Sequence, residues 1–341
     1  MADDELSPKL EAFIARESGA REVRVSALRR LTGGASRETW SLDAALTHAD
    51  GRAETLPLIL QRDVRGAPKT LSRADECRLM RAAFDAGVPA PEPLFMGDDS
   101  LGGEFFLVRR IDGETLPRRL LREDVYADAR RAMPAQLGRA LAAIHAISLD
   151  TPGIAGVPAP PDGAVPAAYE VQRYEQIFRM IAPEPHPAFE LAFRFLNQHA
   201  VARAAGAARR CLTHGDYRIG NMLFGPEGLR VVLDWELAHI GDPMEDMGFI
   251  CVRSWRFGGP KPVGGIGDRE EFFAAYETAG GGAVDAERVR FWEVFGNLRW
   301  GVICLTQAHV YLDGHSNSVE LAAIGRRTAE TEWELLSLVD S

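Results

Sequence analysis

Two apolar periods run along this chain, and the switches between them mark its elements. Leu10, Phe13 and Ile14 fall at helical spacing, and Ser7-Pro8 reads as the start of that helix. Residues 23–31 read as a strand. The small-residue break Thr32-Gly33-Gly34-Ala35-Ser36 follows, and a strand pattern resumes over 37–46. Residues 56–63, LPLILQRD, form a third strand, and 70–87 are helical with Gly87 as the stop. Residues 104–113, EFFLVRRIDG, read as a buried strand running into a turn. From there helical spacing dominates, over 133–148, 167–181 and 186–201, and again from 267 to the end. Segments rich in proline and glycine, 151–166 and 258–266, read as loops, the second as a mobile rim.

Composition narrows the class. A chain of 341 residues can bury a sizeable core in two domains or one bilobal unit. Its net charge of −10 argues against a nucleic-acid partner. The most apolar window, 291–311, contains Glu293 and Arg299, so it reads as a buried helix and no membrane span is expected. The N-terminus is acidic and has no apolar run of the signal-peptide kind. Cys77, Cys211, Cys251 and Cys304 are far apart and read as reduced core thiols, which points to the cytoplasm. Nothing here speaks to oligomeric state.

Candidate chemistry concentrates in residues 211–246. Asp216 follows His214 by two residues, Asn221 follows Asp216 by five, and Asp234 follows Asn221 by thirteen. Between the last two lie short apolar runs around Gly225-Pro226-Glu227-Gly228, a hairpin signal. A hairpin returns its ends to each other, which would set Asn221 and Asp234 on neighbouring strands. Asp216 is then a carboxylate free to meet a substrate hydroxyl. Asn221 and Asp234 offer hard oxygens suited to Mg²⁺, which takes few protein ligands. This is the inventory of phosphoryl transfer. His214 reads as a brace for the loop. Glu236 is either a further ligand or an exposed charge, the second preferred. Asp242-Pro243 reads as a helix start.

The run His214-Gly215-Asp216-Tyr217-Arg218-Ile219-Gly220-Asn221, followed by Leu233-Asp234-Trp235-Glu236, resembles the aminoglycoside phosphotransferase family. It is similar in particular to the phosphotransferase domains found beside acyl-CoA dehydrogenases. The resemblance spans roughly residues 24–310. It implies an α+β, bilobal, protein-kinase-like fold, with a small antiparallel sheet lobe over 1–111 and a larger helical lobe over 112–341. It implies ATP or GTP as phosphoryl donor, Mg²⁺ as cofactor and a small-molecule hydroxyl as acceptor. Asp216 would be the catalytic base, Asn221 and Asp234 the metal ligands, and Asp246 a brace for the loop. Gly33, Gly34 and Ser36 would cover phosphates with backbone N–H groups, and Arg110 and Ile111 would meet the purine. Glu76 takes the position of the helix glutamate that pairs with a strand cation.

One position departs from the pattern. The third strand has no lysine; Gln61 and Arg62 stand there. Alternation lets only one of them face the nucleotide. Arginine forks onto phosphate oxygens, so Arg62 is the expected clamp. The missing lysine also leaves open a nucleotide-binding regulatory module. The acceptor is not legible: residues 168–200 and 251–262 mix Glu170, Glu175 and Glu184 with Arg173, Arg179, Arg253 and Arg256.

Overall fold

The computed structural model describes residues 3–31, 37–63, 70–181, 184–204 and 209–339. The chain divides into two compact units. One comprises Met1–Glu114, Leu149–Val157 and Arg230–Leu237, and the other Thr115–Ser148, Pro158–Leu229 and Ala238–Ser341. The first unit thus reaches Glu114 and takes in two later segments of the chain.

The first unit opens with helix α1 (Asp3–Ser18). It starts before Ser7 and takes Pro8 inside, so Ser7-Pro8 is not its start. Strands β1 (Glu22–Leu31), β2 (Arg37–Thr47) and β3 (Ala53–Asp63) follow, then helix α2 (Arg73–Asp85) and strands β4 (Pro93–Met96) and β5 (Phe105–Arg109). The strands form one antiparallel sheet in the order β1-β2-β3-β5-β4. Alternation decides what each face carries. Trp40, Leu42 and Ala44 of β2, Leu58 and Leu60 of β3, and Phe105 and Leu107 of β5 are buried in one cluster with Leu6, Leu10, Phe13 and Ile14 of α1. Phe13 meets Phe105 edge to face, with centroids 4.8 Å apart. By the same parity Arg62 lies on the face of Leu58 and Leu60. Gln61 and Asp63 lie on the opposite face, in register with Thr39 and Arg37. Ser72 caps α2, its hydroxyl accepting from the Asp75 N–H at 3.0 Å.

The second unit contains helices α3 (Pro117–Arg122), α4 (Ala127–His145), α5 (Pro166–Ile181) and α6 (Pro187–Ala204), then strand β6 (Cys211–Thr213). The predicted hairpin forms from β7 (Met222–Gly225) and β8 (Gly228–Val232), and the division between units falls inside β8. Gly228 has a positive φ of 118°, and a Cβ there would stand 2.0 Å from Gln136 Oε1. That carbonyl oxygen instead accepts the Leu229 N–H at 2.8 Å. Strand β9 (His239–Gly241) pairs with β6. Helices α7 (Pro243–Phe249), α8 (Arg269–Thr278), α9 (Ala286–Leu312), α10 (Val319–Gly325) and α11 (Thr328–Val339) complete the chain. Helix α7 has Asp242 at its N-cap and Pro243 in its first turn, as the sequence suggested. The apolar window 291–311 lies within α9, and no described helix is long and apolar enough to cross a membrane. All four cysteines are buried free thiols. The expected rim at 258–266 is tied down: Lys261 bridges Gly265, Val263 bridges Gly267, and Val263 is fully buried.

Candidate active site

Strands β6 and β9 frame a loop that runs from His214 to Asn221. Cys211 pairs with Gly241 and Thr213 with His239, and the Thr213 hydroxyl donates to the His239 carbonyl at 2.7 Å. The loop hangs from Asp246 on α7. Its buried carboxylate accepts the N–H of His214 at 2.7 Å and that of Gly215 at 2.9 Å. His145 Nε2 lies 3.1 Å from the same carboxylate, and the Tyr276 hydroxyl is 2.8 Å from His145 Nδ1. Burial works to raise the Asp246 pKa, but His145 and the backbone donor at His214 hold it below the ordinary value of 3.8. Gly215 has a φ of 76°, which favours glycine. The Asp216 N–H donates to His214 Nδ1 at 3.2 Å, and the Tyr217 hydroxyl donates to the Leu137 carbonyl of α4 at 2.8 Å. His214 is therefore placed as a brace, and the Tyr217 bond sets α4 against this loop.

The Asp216 side chain is aimed by two partners. Arg218 Nε donates to its oxygens at 3.0 and 3.1 Å, and Asn221 Nδ2 donates to Oδ2 at 2.6 Å and to the Asp216 carbonyl at 3.0 Å. These bonds engage the amide nitrogen of Asn221, so its carbonyl oxygen is the atom left to meet a cation. Arg218 was missed by sequence reasoning. Its signal was present: a cation two residues beyond the candidate base. The guanidinium stacks over the Trp255 ring at 4.8 Å, which fixes its orientation.

Asp234 belongs to the first unit. Its φ of 69° is left-handed, a conformation aspartate adopts more readily than most residues and one that clusters at functional sites. Around it stand Glu76 of α2, Glu236 and Arg37, the first residue of β2. Arg37 Nη2 donates to Asp234 Oδ1 and lies 2.7 Å from Glu236 Oε2. Arg37 Nη1 lies 3.4 Å from Glu76 Oε1 and 3.2 Å from Gln61 Oε1. Arg73 Nη1 holds the other Glu76 oxygen, while its Nε donates to Asp63 at 2.6 Å. Burial drives the Glu76 carboxyl above its usual range, against the two arginines. Burial, and then the Asp234 charge, push Glu236 up to about 7. Glu236 is thus no plain surface charge, as the sequence reading preferred, but a half-buried member of this cluster.

Three expectations need correction or restriction. Arg62 does not face Glu76. Its guanidinium donates to Glu38 and, at 2.8 Å, to the Leu101 carbonyl, because β3 parity turns it to the side of the α1 core. Gln61 is the residue on the Glu76 side. Arg110 keeps fewer groups for a purine than expected. Its N–H donates to the Pro57 carbonyl at 2.9 Å, and its guanidinium to Ser41 at 3.0 Å and Asp43 at 2.7 Å. Ile111 beside it is exposed. Gly33, Gly34 and Ser36 lie outside the described residues.

Among the described residues no group of three or more acidic, histidine or cysteine side chains is placed to hold a metal by itself. Mg²⁺ does not need one, since it binds through one or two protein oxygens and completes its shell with water and phosphate. The Asp234 carboxylate in the first unit and the Asn221 carbonyl oxygen in the second are each the kind of hard oxygen donor that Mg²⁺ takes.

An antiparallel sheet unit, a mainly helical unit and a braced Asp-x₄-Asn loop define a kinase-like α+β fold. The comparisons agree and name the family. The model of the phosphotransferase enzyme family matches residues 27–292, and the chain belongs to that family. A relative is acyl-CoA dehydrogenase family member 10 of Mus musculus, 26% identical over 301 residues, covering 81% of this chain and 27% of the relative. The chain thus spans about a quarter of that protein's length. Among solved structures, a Ralstonia eutropha protein assigned as an aminoglycoside phosphotransferase superposes with a TM-score of 0.74 at 22% identity, over 98% of both chains. An aminoglycoside phosphotransferase in complex with AMP-PNP and hygromycin B superposes with a TM-score of 0.61 at 19% identity, over 97% of this chain and 98% of that one.

Proposed function

We propose that this chain transfers the γ-phosphoryl group of ATP or GTP to a hydroxyl of a small molecule. The observation that carries this reading is the geometry of Asp216. It is a carboxylate aimed by Arg218 and Asn221, on a loop whose backbone is fixed by buried Asp246. Asp216 accepts the proton of the acceptor hydroxyl as that oxygen attacks the γ-phosphorus. The bond to the bridging oxygen breaks, the nucleoside diphosphate leaves, and the proton later passes to water. Asn221 and Asp234 would hold Mg²⁺, which supplies charge neutralisation on the phosphates.

The acceptor is argued from a cavity of about 720 Å³ in the second unit. It is lined by Arg253, Arg256, Phe257, Asn297, Arg327 and Trp333, with two glutamates, Glu330 and Glu334. Phe257 also borders the catalytic loop, since a Cβ on Gly220 would stand 3.6 Å from its ring. Asn297 is buried, and its Oδ1 has no hydrogen-bond partner among the described residues. Arg253 and Arg327 meet those glutamates, Glu334 and Glu330, at 3.6 and 3.3 Å, and Arg256 pairs with Glu293 outside the lining. Beside Phe257 and Trp333, these guanidiniums support an acceptor with an anionic group and an apolar part, such as a hydroxyacyl-CoA, over a polycationic aminoglycoside.

Nucleoside diphosphate release is measured with Mg²⁺ and ATP or GTP over a panel of hydroxylated metabolites that includes a hydroxyacyl-CoA and an aminoglycoside. Turnover is expected with an anionic acceptor. Asp216→Asn should lose ~10²–10⁴-fold in transfer and keep nucleotide binding. Full turnover by Asp216→Asn would remove its role. Binding without turnover on any acceptor would favour the regulatory module.

A further inference from the structure

Strand β3 carries no lysine, and Arg62 is turned away from Glu76. The Glu76 face nevertheless holds a strand cation. It comes from the neighbouring strand: Arg37 of β2, which immediately follows the Gly33–Ser36 segment in sequence. We infer that Arg37 is the phosphate-holding cation of this chain and pairs with Glu76 in place of the absent β3 lysine. This rests on the nucleotide-dependent reading above.

The geometry supports the exchange between strands. Thr39 and Gln61 are register partners on adjacent strands, and Arg37 sits one pleat from them on the same face. Its Nη1 reaches Gln61 Oε1 at 3.2 Å and Glu76 Oε1 at 3.4 Å, so the charge lies within hydrogen-bond range of the side chain at position 61. A guanidinium offers separate donor nitrogens in one plane. Nη1 can stay on Glu76 while Nη2, which meets Asp234 and Glu236, turns to a phosphate oxygen. A lysine ammonium would serve both from one nitrogen. Arg73 also contacts Glu76, and its Nη2 lies 3.8 Å from Glu236, but its Nε is committed to Asp63, and among the ion pairs of the described residues none joins it to Asp234. The cluster is buried enough for a charge change to be felt, since Arg37 is 8% exposed.

The test is equilibrium binding of Mg²⁺–ATP, with adenosine as a second probe, to the full chain and three variants whose fold is checked by circular dichroism. Arg37→Gln should weaken Mg²⁺–ATP binding by ~10- to 100-fold, the value of a hydrogen bond to a charged group. Adenosine binding should be unchanged, because it carries no phosphate. The exchange variant Arg37→Gln/Gln61→Arg returns a cation to the same face and should recover most of the loss. Arg37→Lys should fall between. Equal Mg²⁺–ATP affinity in wild type and Arg37→Gln overturns the inference. So does equal weakening of ATP and adenosine, which marks a structural role, and so does a folded exchange variant with no recovery. If Arg37→Gln fails to fold, the exchange variant decides alone: tight binding supports the inference and lost binding overturns it. A wild-type chain that binds neither Mg²⁺–ATP nor Mg²⁺–GTP overturns the proposed function itself, a different result from any of these.

Discussion

Asp246 shows what one buried carboxylate can do. It is fully buried, and burial alone would favour its neutral form. Two backbone N–H groups and His145 reverse that. Because its folded pKa lies below the unfolded value, its stabilising effect is complete above about pH 3.8 and is lost as pH falls through the folded value. Asp246→Asn keeps the shape but removes the charge and one acceptor. It should cost about 1–3 kcal/mol in urea denaturation near neutral pH, and the difference from wild type should shrink below pH 4. Transfer should fall as well, because the backbone that carries Asp216 is no longer held. Unaltered stability at pH 7 would mean that the loop is fixed elsewhere. Glu236 and Arg62 carry the other residue-scale lesson. A side chain's charge does not say where it points: Glu236 turned inward to Arg37, and Arg62 turned to Glu38.

At the scale of elements, close approach matters more than propensity. Helix α7, which supplies Asp246, packs against α9 at Gly248. A Cβ there would stand 2.7 Å from the Glu293 nitrogen and the Trp292 carbonyl carbon, both backbone atoms. Alanine is the better helix former by up to about 1 kcal/mol. Gly248→Ala should nevertheless destabilise by about 1–3 kcal/mol, because neither backbone can yield locally. A lower urea midpoint with an unchanged slope would confirm this. A gain in stability would show that α7 and α9 can slide apart freely. The sheet gives the counterpart. Leu58 and Leu60 bind β3 to the α1 core, and that anchoring, not the charge of Arg62, sets which residue of the pair 61/62 meets Glu76.

At the scale of the molecule, the residues proposed for the reaction are distributed over two units. Asp216 and Asn221 belong to one, and Asp234, Glu76 and Arg37 to the other. A ligand that binds only the folded chain stabilises it by mass action, by about 2.7 kcal/mol at one hundred times its Kd. Saturating Mg²⁺ with ATP or GTP should therefore raise Tm by several degrees, and Mg²⁺ or nucleotide alone by less. In Asp234→Ala the Mg²⁺-dependent part of that shift should vanish. A shift that is equal with and without Mg²⁺ in wild type would remove the metal from the reading.

The sequence by itself determined what depends on neighbours within about a dozen residues. The alternation of β2 and β3, the helical periods, the hairpin around Gly225–Gly228, the capped start of α7 and the Asp216–Asn221 spacing are all local. The kinase-like fold and the family follow from something narrower, the resemblance of the runs 214–221 and 233–236 to the family's motif. Tertiary structure alone decided the rest. The parity of Leu58 and Leu60 already held the answer for Arg62, but only once α1 was known to cover that face. The pairing of Arg37 with Asp234 spans 197 positions. No local period can encode such a contact, because it exists only after the sheet, α2 and the segment at 230–237 have packed into one unit.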